Sequence, residues 1–310
     1  MYIYIYVKLT NTNVETSCLN YGQQCFEGLK AFRTENNRIG LFRPKVNSAR
    51  LNVSASVIGA PDVPESLFVD ACRMAVEKNA EFVPPYGKDA SLYIRPLMLG
   101  SAPAVGLVPS QQYMFIVAVT PVGCYYADGI KPVDAVVLDH FDRAAEHGTG
   151  HAKVGGNYAP VFKHALEAKN KGYAITLHLD SKTHTMIDEF STSNFIALKE
   201  SPHGKTSLLT PESPSILKSI TTKCMVQLAD SYDWDVEIRP ILWTEVSSFT
   251  EVAAAGTAAI LTPINSITRG DEKITFGDGH IGKGFMKLYK DYRDIQNGDA
   301  HDKFGWMEWL

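Results

Sequence analysis

The sequence predicts an α/β protein of two domains. Its 310 residues suit two domains of ordinary size. Apolar, β-rich runs alternate with amphipathic helical segments in both halves of the chain. Glycine and proline become frequent between residues 122 and 132, directly after a strongly apolar run. We therefore expect a small N-terminal α/β domain over residues 1–121, an interdomain loop over 122–132, and a larger C-terminal domain over 133–310.

The composition is that of an ordinary globular protein. Apolar residues make up 45% of the chain and charged residues 21%. The formal net charge of −4 gives no basic surface for nucleic acid or an anionic membrane, and no apolar run is long enough to span a bilayer. Five scattered cysteines without a CxxC pair predict reduced thiols and a cytoplasmic protein, with a mitochondrial location still open. Residues 1–8 predict a short strand, not a secretory signal.

The first half predicts a β-hairpin over residues 21–42 and then a helix over 44–56 that carries Arg50. Asp62 is expected to cap the next helix, with Pro64 in its first turn. The apolar face expected for that helix consists of Leu67, Phe68, Ala71, Met74 and Ala75. Strands are predicted at 92–97 and 113–119, and the loop between them is a candidate substrate-side loop.

The second half predicts further strands and helices in alternation. The predicted strands are 133–138, 174–179, 186–190 and 236–241, with another following a turn at residues 256–257. Helices are predicted at 160–171, at 220–230 behind a Ser219 cap, and at 282–297 before Gly298. The apolar face expected for the first of these helices consists of Val161, Phe162, Ala165 and Leu166.

The stretch HAKVGGNYAP, residues 151–160, holds the most suggestive lysine. Lys153 is followed by two consecutive glycines and then by Tyr158. Glycine allows close backbone approaches, and a lysine held away from water can lose its proton and attack an aldehyde. Pyridoxal phosphate needs such a lysine. Taken alone, a solvated lysine in a glycine-rich turn is the commoner explanation, so the cofactor's other partners must decide.

Other candidate chemistries are weaker. The string GDGHIG at 277–282 matches a dinucleotide-binding pattern, but no βαβ unit leads into it, and we interpret it as a loop. His147 and His151 are separated by glycines that disfavour a helix, and His178 and His184 fall in a hairpin. We interpret these histidines as solvated or hydrogen-bonded and predict no metal site.

The cofactor's remaining partners all have candidates. Glu189, at a strand end, offers a carboxylate for the pyridine nitrogen. Backbone N–H groups at the start of the helix after Ser219 can bind the phosphate, as can a second set at residues 256–258. Arg50 adds a positive charge. Each residue alone has an ordinary structural explanation, and it is their joint occurrence that favours pyridoxal phosphate.

At this point the sequence resembles the branched-chain amino-acid aminotransferases of class IV, particularly fungal members, from about Leu19 to the C-terminus. The resemblance rests on motifs in the family's order: YGQQCFEGLKAFR (21–33), FRPKVN (42–47), LYIRP (92–96), PVGCY (121–125), KVGGNY (153–158), EFSTSN (189–194), GTA (256–258) and DIQNG (294–298). It implies a D-amino-acid-aminotransferase-like fold with a small α/β domain and a larger β-barrel-like domain, a homodimer, and pyridoxal 5′-phosphate as cofactor.

The resemblance also implies residue roles. Lys153 binds the cofactor covalently and moves a proton, Glu189 pairs with its pyridine nitrogen, and Tyr158 bonds its phenolic oxygen. The phosphate contacts implied are Arg50, Ile220, Thr221 and Thr257. The substrate contacts implied are Tyr21, Phe26, Tyr93, Arg95, Tyr125, Thr192 and Ala258, with Arg95 meeting the side-chain carboxylate of glutamate or 2-oxoglutarate. The loop SITT, 219–222, has Thr222 where the family commonly has an arginine.

The activity implied is transamination between branched-chain or similar apolar L-amino acids and 2-oxoglutarate, as in branched-chain amino-acid biosynthesis. Three activities on the same fold stay open as alternatives: a D-amino-acid transaminase, an amine transaminase and an aminodeoxychorismate lyase. A non-catalytic protein that binds pyridoxal phosphate is the alternative from another functional class.

Overall fold

The computed structural model describes residues 13–123, 126, 129–201 and 203–310, so the strand predicted at 1–8 lies outside the described residues. The helices are α1 (Ser17–Tyr21), α2 (Pro44–Val57), α3 (Glu65–Glu77), α4 (Val161–Asn170), α5 (Ile220–Ser231) and α6 (Lys283–Asn297). The strands are β1 (Gln24–Phe26), β2 (Leu29–Arg33), β3 (Ile39–Phe42), β4 (Ser91–Gly100), β5 (Tyr113–Val122), β6 (Val133–Val137), β7 (Ile175–Leu179), β8 (Ile187–Phe190), β9 (Ser193–Glu200), β10 (Thr206–Pro211), β11 (Asp235–Arg239), β12 (Glu251–Gly256), β13 (Ile260–Arg269), β14 (Glu272–Thr275) and β15 (Met307–Trp309).

The chain divides into two units. The first unit comprises Met1–Tyr125, Ala152–Gly156 and Asp294–Leu310, and the second comprises Tyr126–His151 and Asn157–Arg293. Residues 152–156 and 294–310, which we expected in the C-terminal domain, therefore fall in the first unit. The physical reason is backbone pairing, because β15 pairs with β3 and Val154 bridges to Cys25. The boundary expected within 122–132 stays a prediction.

The first unit is built on an antiparallel sheet covered by helices. Its strand order is β1-β4-β2-β3-β15, and β5 also pairs with β4. Helices α2 and α3 pack against this sheet, and Leu51 of α2 and Phe68 of α3 are fully buried in the shared core. Burial of these apolar side chains holds the helices on the sheet and fixes the orientation of Arg50 on α2.

The second unit contains a closed barrel. Its strand order is β11-β10-β9-β12-β13-β6-β7-β8, and β8 also pairs with β9, which closes six of these strands into a barrel. Strand β6 runs parallel to both of its neighbours, whereas β12 is antiparallel to β9 and β13. Closure pairs the strand edges that an open sheet would expose. The mixed α/β architecture with a barrel-like larger sheet is the one that the sequence predicts.

The predicted cap of α3 is wrong. Helix α3 begins at Glu65, and Pro64 occupies its N-cap in an extended conformation, so Asp62 lies too far upstream to cap it.

Two predicted helix faces are also wrong. The buried face of α3 consists of Phe68, Val69, Cys72, Ala75 and Val76, whereas Leu67 and Met74 are about half exposed. On α4, Val161 and Ala168 are buried while Phe162 and Leu166 are mostly exposed. In both helices, contact with the sheet selects a stripe rotated from the one that hydrophobicity alone indicates.

Other local predictions are confirmed. Helix α2 carries Arg50, β7 and β8 form an antiparallel hairpin, and Ser219 caps α5 by accepting a hydrogen bond from the Thr222 N–H at 3.1 Å. Gly298 follows α6 with a φ of 79°, a conformation that glycine adopts without strain. The turn at residues 257–259 is followed by β13 as predicted, but it is also preceded by β12. Among the described residues, no helix is both long and apolar enough to cross a membrane.

Candidate active site

Lys153 lies in the first unit, where its backbone is fixed from two sides. Its N–H donates to Ser54 Oγ of α2 at 2.8 Å, and its carbonyl accepts from the Phe26 N–H at 3.1 Å. The next residue, Val154, forms a bridge with Cys25. A Cβ on Gly155 would lie 3.0 Å from Gln24 Nε2, a tight contact with the end of a side chain of β1. The backbone at Lys153 is therefore paired with the edge strand β1, and it does not lie in a solvated turn.

The side chains around Lys153 form an aromatic and cationic group. Lys153 Nζ lies 4.7 Å from the centroid of the Phe26 ring. The guanidinium of Arg95 lies 4.9 Å from the same ring and 5.3 Å from the Tyr93 ring, and its Nη2 donates to Tyr93 Oη at 3.1 Å. Four of the predicted site residues therefore lie together, held by cation–π contacts and one hydrogen bond.

Gly28 makes room for Tyr93. A Cβ built on Gly28 would lie 2.0 Å from Tyr93 Oη and 2.8 Å from the ring carbon that carries it. No side chain larger than hydrogen can be accommodated there unless the Tyr93 ring moves. Gly28 therefore allows the Tyr93 ring to occupy its position beside Phe26 and Arg95.

Arg50 is held by a buried carboxylate that the sequence analysis did not single out. Its Nε and Nη2 donate to the two carboxylate oxygens of Glu27, each at 2.7 Å, and Asn47 Nδ2 also donates to Glu27 at 2.8 Å. The Glu27 side chain is fully buried and that of Arg50 is 11% exposed. The paired geometry fixes the plane of the guanidinium on α2. Only the position of Glu27, just before Gly28 in the motif, could have drawn attention to it.

Two other residues predicted in this region are less informative. Tyr21 ends α1, and its side chain is about half exposed. Tyr125 lies outside the described residues. Their expected substrate contacts stay predictions.

Glu189 lies in the second unit within a network of hydrogen bonds. Its carboxylate accepts from Asn194 Nδ2 at 2.6 Å and from the Leu217 N–H at 3.2 Å, and it forms an ion pair with Arg143 at 2.7 Å. Burial raises the pKa of the Glu189 carboxyl to about 7, although Arg143, the Leu217 N–H and Asn194 act in the opposite direction. Arg143 and Asn194 were not assigned roles from sequence, because neither forms a recognisable motif with Glu189.

The N-terminus of α5 offers unpaired donors. Ser219 caps Thr222, but the N–H groups of Ile220 and Thr221 have no acceptor among the described residues, and both residues are buried. Buried N–H groups are almost always paired, so two unpaired ones at a helix N-terminus indicate a place for an anion. These are the backbone groups predicted from the sequence to bind phosphate.

Strand register brings the other predicted residues of this unit to one edge. Glu189 on β8 is paired with Asn194 on β9, and Asn194 is also opposite Ala255 on β12. The turns that contain Thr192 on one side, and Thr257 and Ala258 on the other, therefore lie at the same end of neighbouring strands. Tyr158 follows Asn157, whose amide is held by Thr149 through bonds of 2.6 and 2.8 Å.

Comparison with known proteins identifies the family of the chain. The family model "Amino-transferase class IV" matches residues 24–267. The aminotransferase poxL of Penicillium oxalicum is 48% identical over 293 residues, which cover 93% of this chain and 79% of that protein. The branched-chain amino acid aminotransferase gloG of Glarea lozoyensis is 44% identical, with coverage of 94% and 82%.

Solved structures show the same fold. The branched-chain amino acid aminotransferase of Escherichia coli superimposes with a TM-score of 0.84 and 27% identity, covering 98% of this chain and 95% of that one. The T.th. branched-chain amino acid aminotransferase in complex with N-(5′-phosphopyridoxyl)-L-glutamate gives a TM-score of 0.81 and 25% identity, with the same coverage. This chain therefore belongs to the class IV aminotransferases, and it is an aminotransferase that uses pyridoxal 5′-phosphate.

Proposed function

We propose that this enzyme transfers the amino group between branched-chain or similar apolar L-amino acids and 2-oxoglutarate, giving the corresponding 2-oxo acid and glutamate. The observation that carries the proposal is the group formed by Phe26, Tyr93 and Arg95 beside Lys153. Two aromatic rings offer apolar contact to an aliphatic side chain, while the guanidinium offers a partner to a carboxylate.

One site can serve both substrates because Arg95 is held loosely. Its guanidinium lies over the Phe26 and Tyr93 rings, and its one hydrogen bond to another described residue is to Tyr93 Oη. A guanidinium held in this way can bind the second carboxylate of 2-oxoglutarate without a buried ion pair being broken first. With an aliphatic substrate, its stem and the rings present apolar surface instead. The T.th. enzyme, which has been solved with a glutamate adduct, is consistent with an acidic second substrate.

The described residues fit the cofactor chemically. We propose that the buried Glu189 carboxylate holds a proton on the pyridine nitrogen and that the unpaired N–H groups of Ile220 and Thr221 bind the phosphate. Arg50 and Thr257 are proposed as further phosphate contacts, and Tyr158 as the donor to the phenolic oxygen. When bound, pyridoxal phosphate supplies the aldehyde and the electron-withdrawing ring that transamination requires.

Lys153 is the proposed catalytic residue. With the cofactor bound, its aldehyde would be held by the Lys153 amine. Once the substrate amine has taken that place, the freed Lys153 amine would move a proton between the substrate Cα and the cofactor's C4′. The hydrogen bonds of its backbone to Ser54 and Phe26 fix the point from which the side chain reaches. Tyr21, Tyr125, Thr192 and Ala258 complete the proposed substrate contacts.

We also propose a homodimer in the cytoplasm that acts in branched-chain amino-acid biosynthesis or on a related apolar amino acid. The scattered cysteines support a reducing compartment. Size-exclusion chromatography with light scattering tests the assembly, and a molar mass near 68 kDa, twice the chain mass of 34.2 kDa, is expected.

A substrate panel tests the function. Glutamate formation from 2-oxoglutarate is measured with L-leucine, L-phenylalanine, D-leucine and an aromatic amine. We expect L-leucine to give the highest kcat/KM. A preference for D-leucine or the amine would contradict the proposal and support the other activities on this fold.

The role of Arg95 is tested on the same panel. Arg95→Met should raise KM for 2-oxoglutarate about tenfold or more while changing KM for L-leucine little, because only one substrate loses a charged partner. Arg73→Met, which removes an exposed arginine on α3, is the matched control and should change neither value. Equal effects of Arg95→Met on both substrates would contradict the assignment.

A further inference from the structure

Asn194 is buried, and every hydrogen-bonding position of its side chain is occupied. Its Nδ2 donates to Glu189 Oε2 at 2.6 Å and to the Leu217 carbonyl at 2.9 Å. Its Oδ1 accepts from the Ser219 N–H at 3.2 Å and from Thr222 Oγ1 at 3.3 Å. A side-chain amide has two donor hydrogens and two acceptor lone pairs, so this residue is fully satisfied by these four partners.

The partners of Asn194 belong to two different places. One is the carboxylate of Glu189 on β8. The others lie in the turn from Leu217 to Thr222, which includes the first residues of α5 and carries the N–H groups of Ile220 and Thr221 that have no acceptor in the described part of the chain. The Leu217 N–H also donates to Glu189 Oε1 at 3.2 Å, so the carboxylate, the amide and the turn form a closed ring of hydrogen bonds.

We propose that Asn194 is a positioning residue. It couples the position of the phosphate-binding N–H groups at the start of α5 to the position of the Glu189 carboxylate, which faces the cofactor's pyridine nitrogen. This inference rests on the proposed function, in which Ile220 and Thr221 bind the phosphate and Glu189 faces the ring nitrogen. A displacement of the turn would be transmitted through the amide to Glu189, because Asn194 is buried and all four of its hydrogen-bonding positions are already engaged with the turn and with Glu189.

The coupling is distinct from the ion pair that also holds Glu189. Arg143 faces the carboxylate from the segment after β6, and Asp188 lies next to it on β8. These charges set the electrostatic environment of Glu189. Arg143 also donates to the Ser215 carbonyl, further from α5, whereas Asn194 and Leu217 are the described residues that bond both to Glu189 and within the turn at the start of α5.

The test replaces Thr222, which does not contact Glu189, and measures the effect on the cofactor that Glu189 is proposed to contact. Thr222→Val removes the hydrogen bond from the Thr222 hydroxyl to Asn194 Oδ1, and it removes no group that contacts Glu189 directly. Thr210→Val is the matched control, since Thr210 is also buried and donates one bond, to the Phe195 carbonyl at 3.2 Å. Thr222→Ser restores the hydroxyl. For each holoenzyme, two quantities are measured: the pH midpoint of the cofactor's visible absorption band and the Kd for pyridoxal phosphate.

We expect Thr222→Val to shift the pH midpoint upwards. A displaced Glu189 stabilises less positive charge on the pyridine ring, and the pKa of the nitrogen that joins the cofactor to Lys153 rises because less positive charge lies near it. The Kd should rise about fivefold, as the loss of one buried hydrogen bond implies. Thr222→Ser should restore both values, and Thr210→Val should change neither. A Thr222→Val holoenzyme with the wild-type midpoint would overturn the coupling, even if its Kd rose.

A further variant separates this inference from the proposed function. Glu189→Gln must shift the midpoint if Glu189 faces the ring nitrogen at all. If Glu189→Gln leaves the spectrum unchanged, both the proposed cofactor contacts and the coupling are wrong. If Glu189→Gln shifts the midpoint while Thr222→Val does not, the cofactor contacts stand and the coupling alone is wrong.

Discussion

Arg143 and Glu189 form an ion pair at 2.7 Å in which each side chain is only 5% exposed. The guanidinium also donates to the Ser215 carbonyl. Removing one partner of such a pair leaves the other charge buried and uncompensated, which costs far more than the pair itself contributes. Breaking the pair is therefore costly, and Arg143 favours the ionised form of Glu189 against the effect of burial, which raises the pKa of this carboxyl to about 7.

We predict that Arg143→Met lowers the free energy of unfolding of the apo-protein by about 3–5 kcal/mol in urea denaturation. Lys205→Met is the control, because Lys205 pairs with Asp235 at 2.6 Å but both side chains are about half exposed. Its loss should be small, because solvent screens an exposed pair. Equal losses for the two variants would contradict the prediction that breaking a buried ion pair costs more than breaking an exposed one.

The pairing of Arg50 with Glu27 leads to a second prediction. Glu27→Gln keeps the shape of the side chain but removes its charge from a fully buried position. We expect a loss of about 3 kcal/mol in the free energy of unfolding, together with weaker binding of pyridoxal phosphate because the guanidinium is no longer oriented. Glu77→Gln on α3 breaks an exposed pair with Arg73 at 4.0 Å and should cost less than about 0.5 kcal/mol. Unchanged cofactor affinity in Glu27→Gln would argue against a phosphate role for Arg50.

Gly28 gives a steric prediction. Gly28→Ala places a Cβ 2.0 Å from Tyr93 Oη, so the ring must move. We expect kcat/KM for L-leucine to fall about tenfold or more while the Kd for pyridoxal phosphate stays the same, since the disturbed ring belongs to the substrate group. Gly40→Ala is the control, because its Cβ would lie 2.7 Å from Met307 Cε and from Trp309 Cε3, a comparable clash away from the substrate group, and it should leave leucine kinetics unchanged. Normal leucine kinetics in Gly28→Ala would remove Tyr93 from the substrate contacts.

His178 predicts a pH dependence of stability. Burial, together with the nearby charge of Arg143 and the neighbouring His164, lowers the pKa of His178 to about 3, against the opposing effect of the Phe141 carbonyl. Between pH 6.5 and about 3, the unfolded chain binds a proton here that the folded chain does not. Stability from this residue is therefore complete above pH 6.5 and is lost as pH falls, by up to about 1.4 kcal/mol per pH unit.

His178→Asn should accordingly flatten the decline of Tm between pH 6.5 and 4.5. His203→Asn, in an exposed turn, should leave the wild-type decline unchanged. Parallel curves for wild type and His178→Asn would contradict the assignment of a neutral, buried imidazole.

How much could be predicted from sequence differs between parts of the site. Lys153 and Ser219 stand in local patterns, a glycine-rich turn and a helix cap, whose physics is contained in a few adjacent residues. Arg143, Asn194 and Glu27 are ordinary polar residues in their own segments. Their importance comes from burial against residues that only the fold brings near, so no local pattern marks them.

The same distinction explains the fold. Helix α2 and the β7–β8 hairpin follow from local periodicity and turn chemistry. The barrel does not, because β6 pairs with β13 from a distant part of the chain. The misjudged faces of α3 and α4 have a related cause, since the burial of Val69 or the exposure of Phe162 depends on what packs against the helix.

The central claim is that Lys153 is the lysine that binds pyridoxal phosphate, and reduction with borohydride followed by peptide mass spectrometry tests it most directly. We predict that the phosphopyridoxyl group is recovered on the peptide containing Lys153. The Lys153→Ala protein should lose the visible absorption band and transaminate at least about a thousandfold more slowly. Lys163→Ala, at an exposed position on α4, should behave as wild type. Recovery of the group on another lysine, or full activity in Lys153→Ala, would contradict the account.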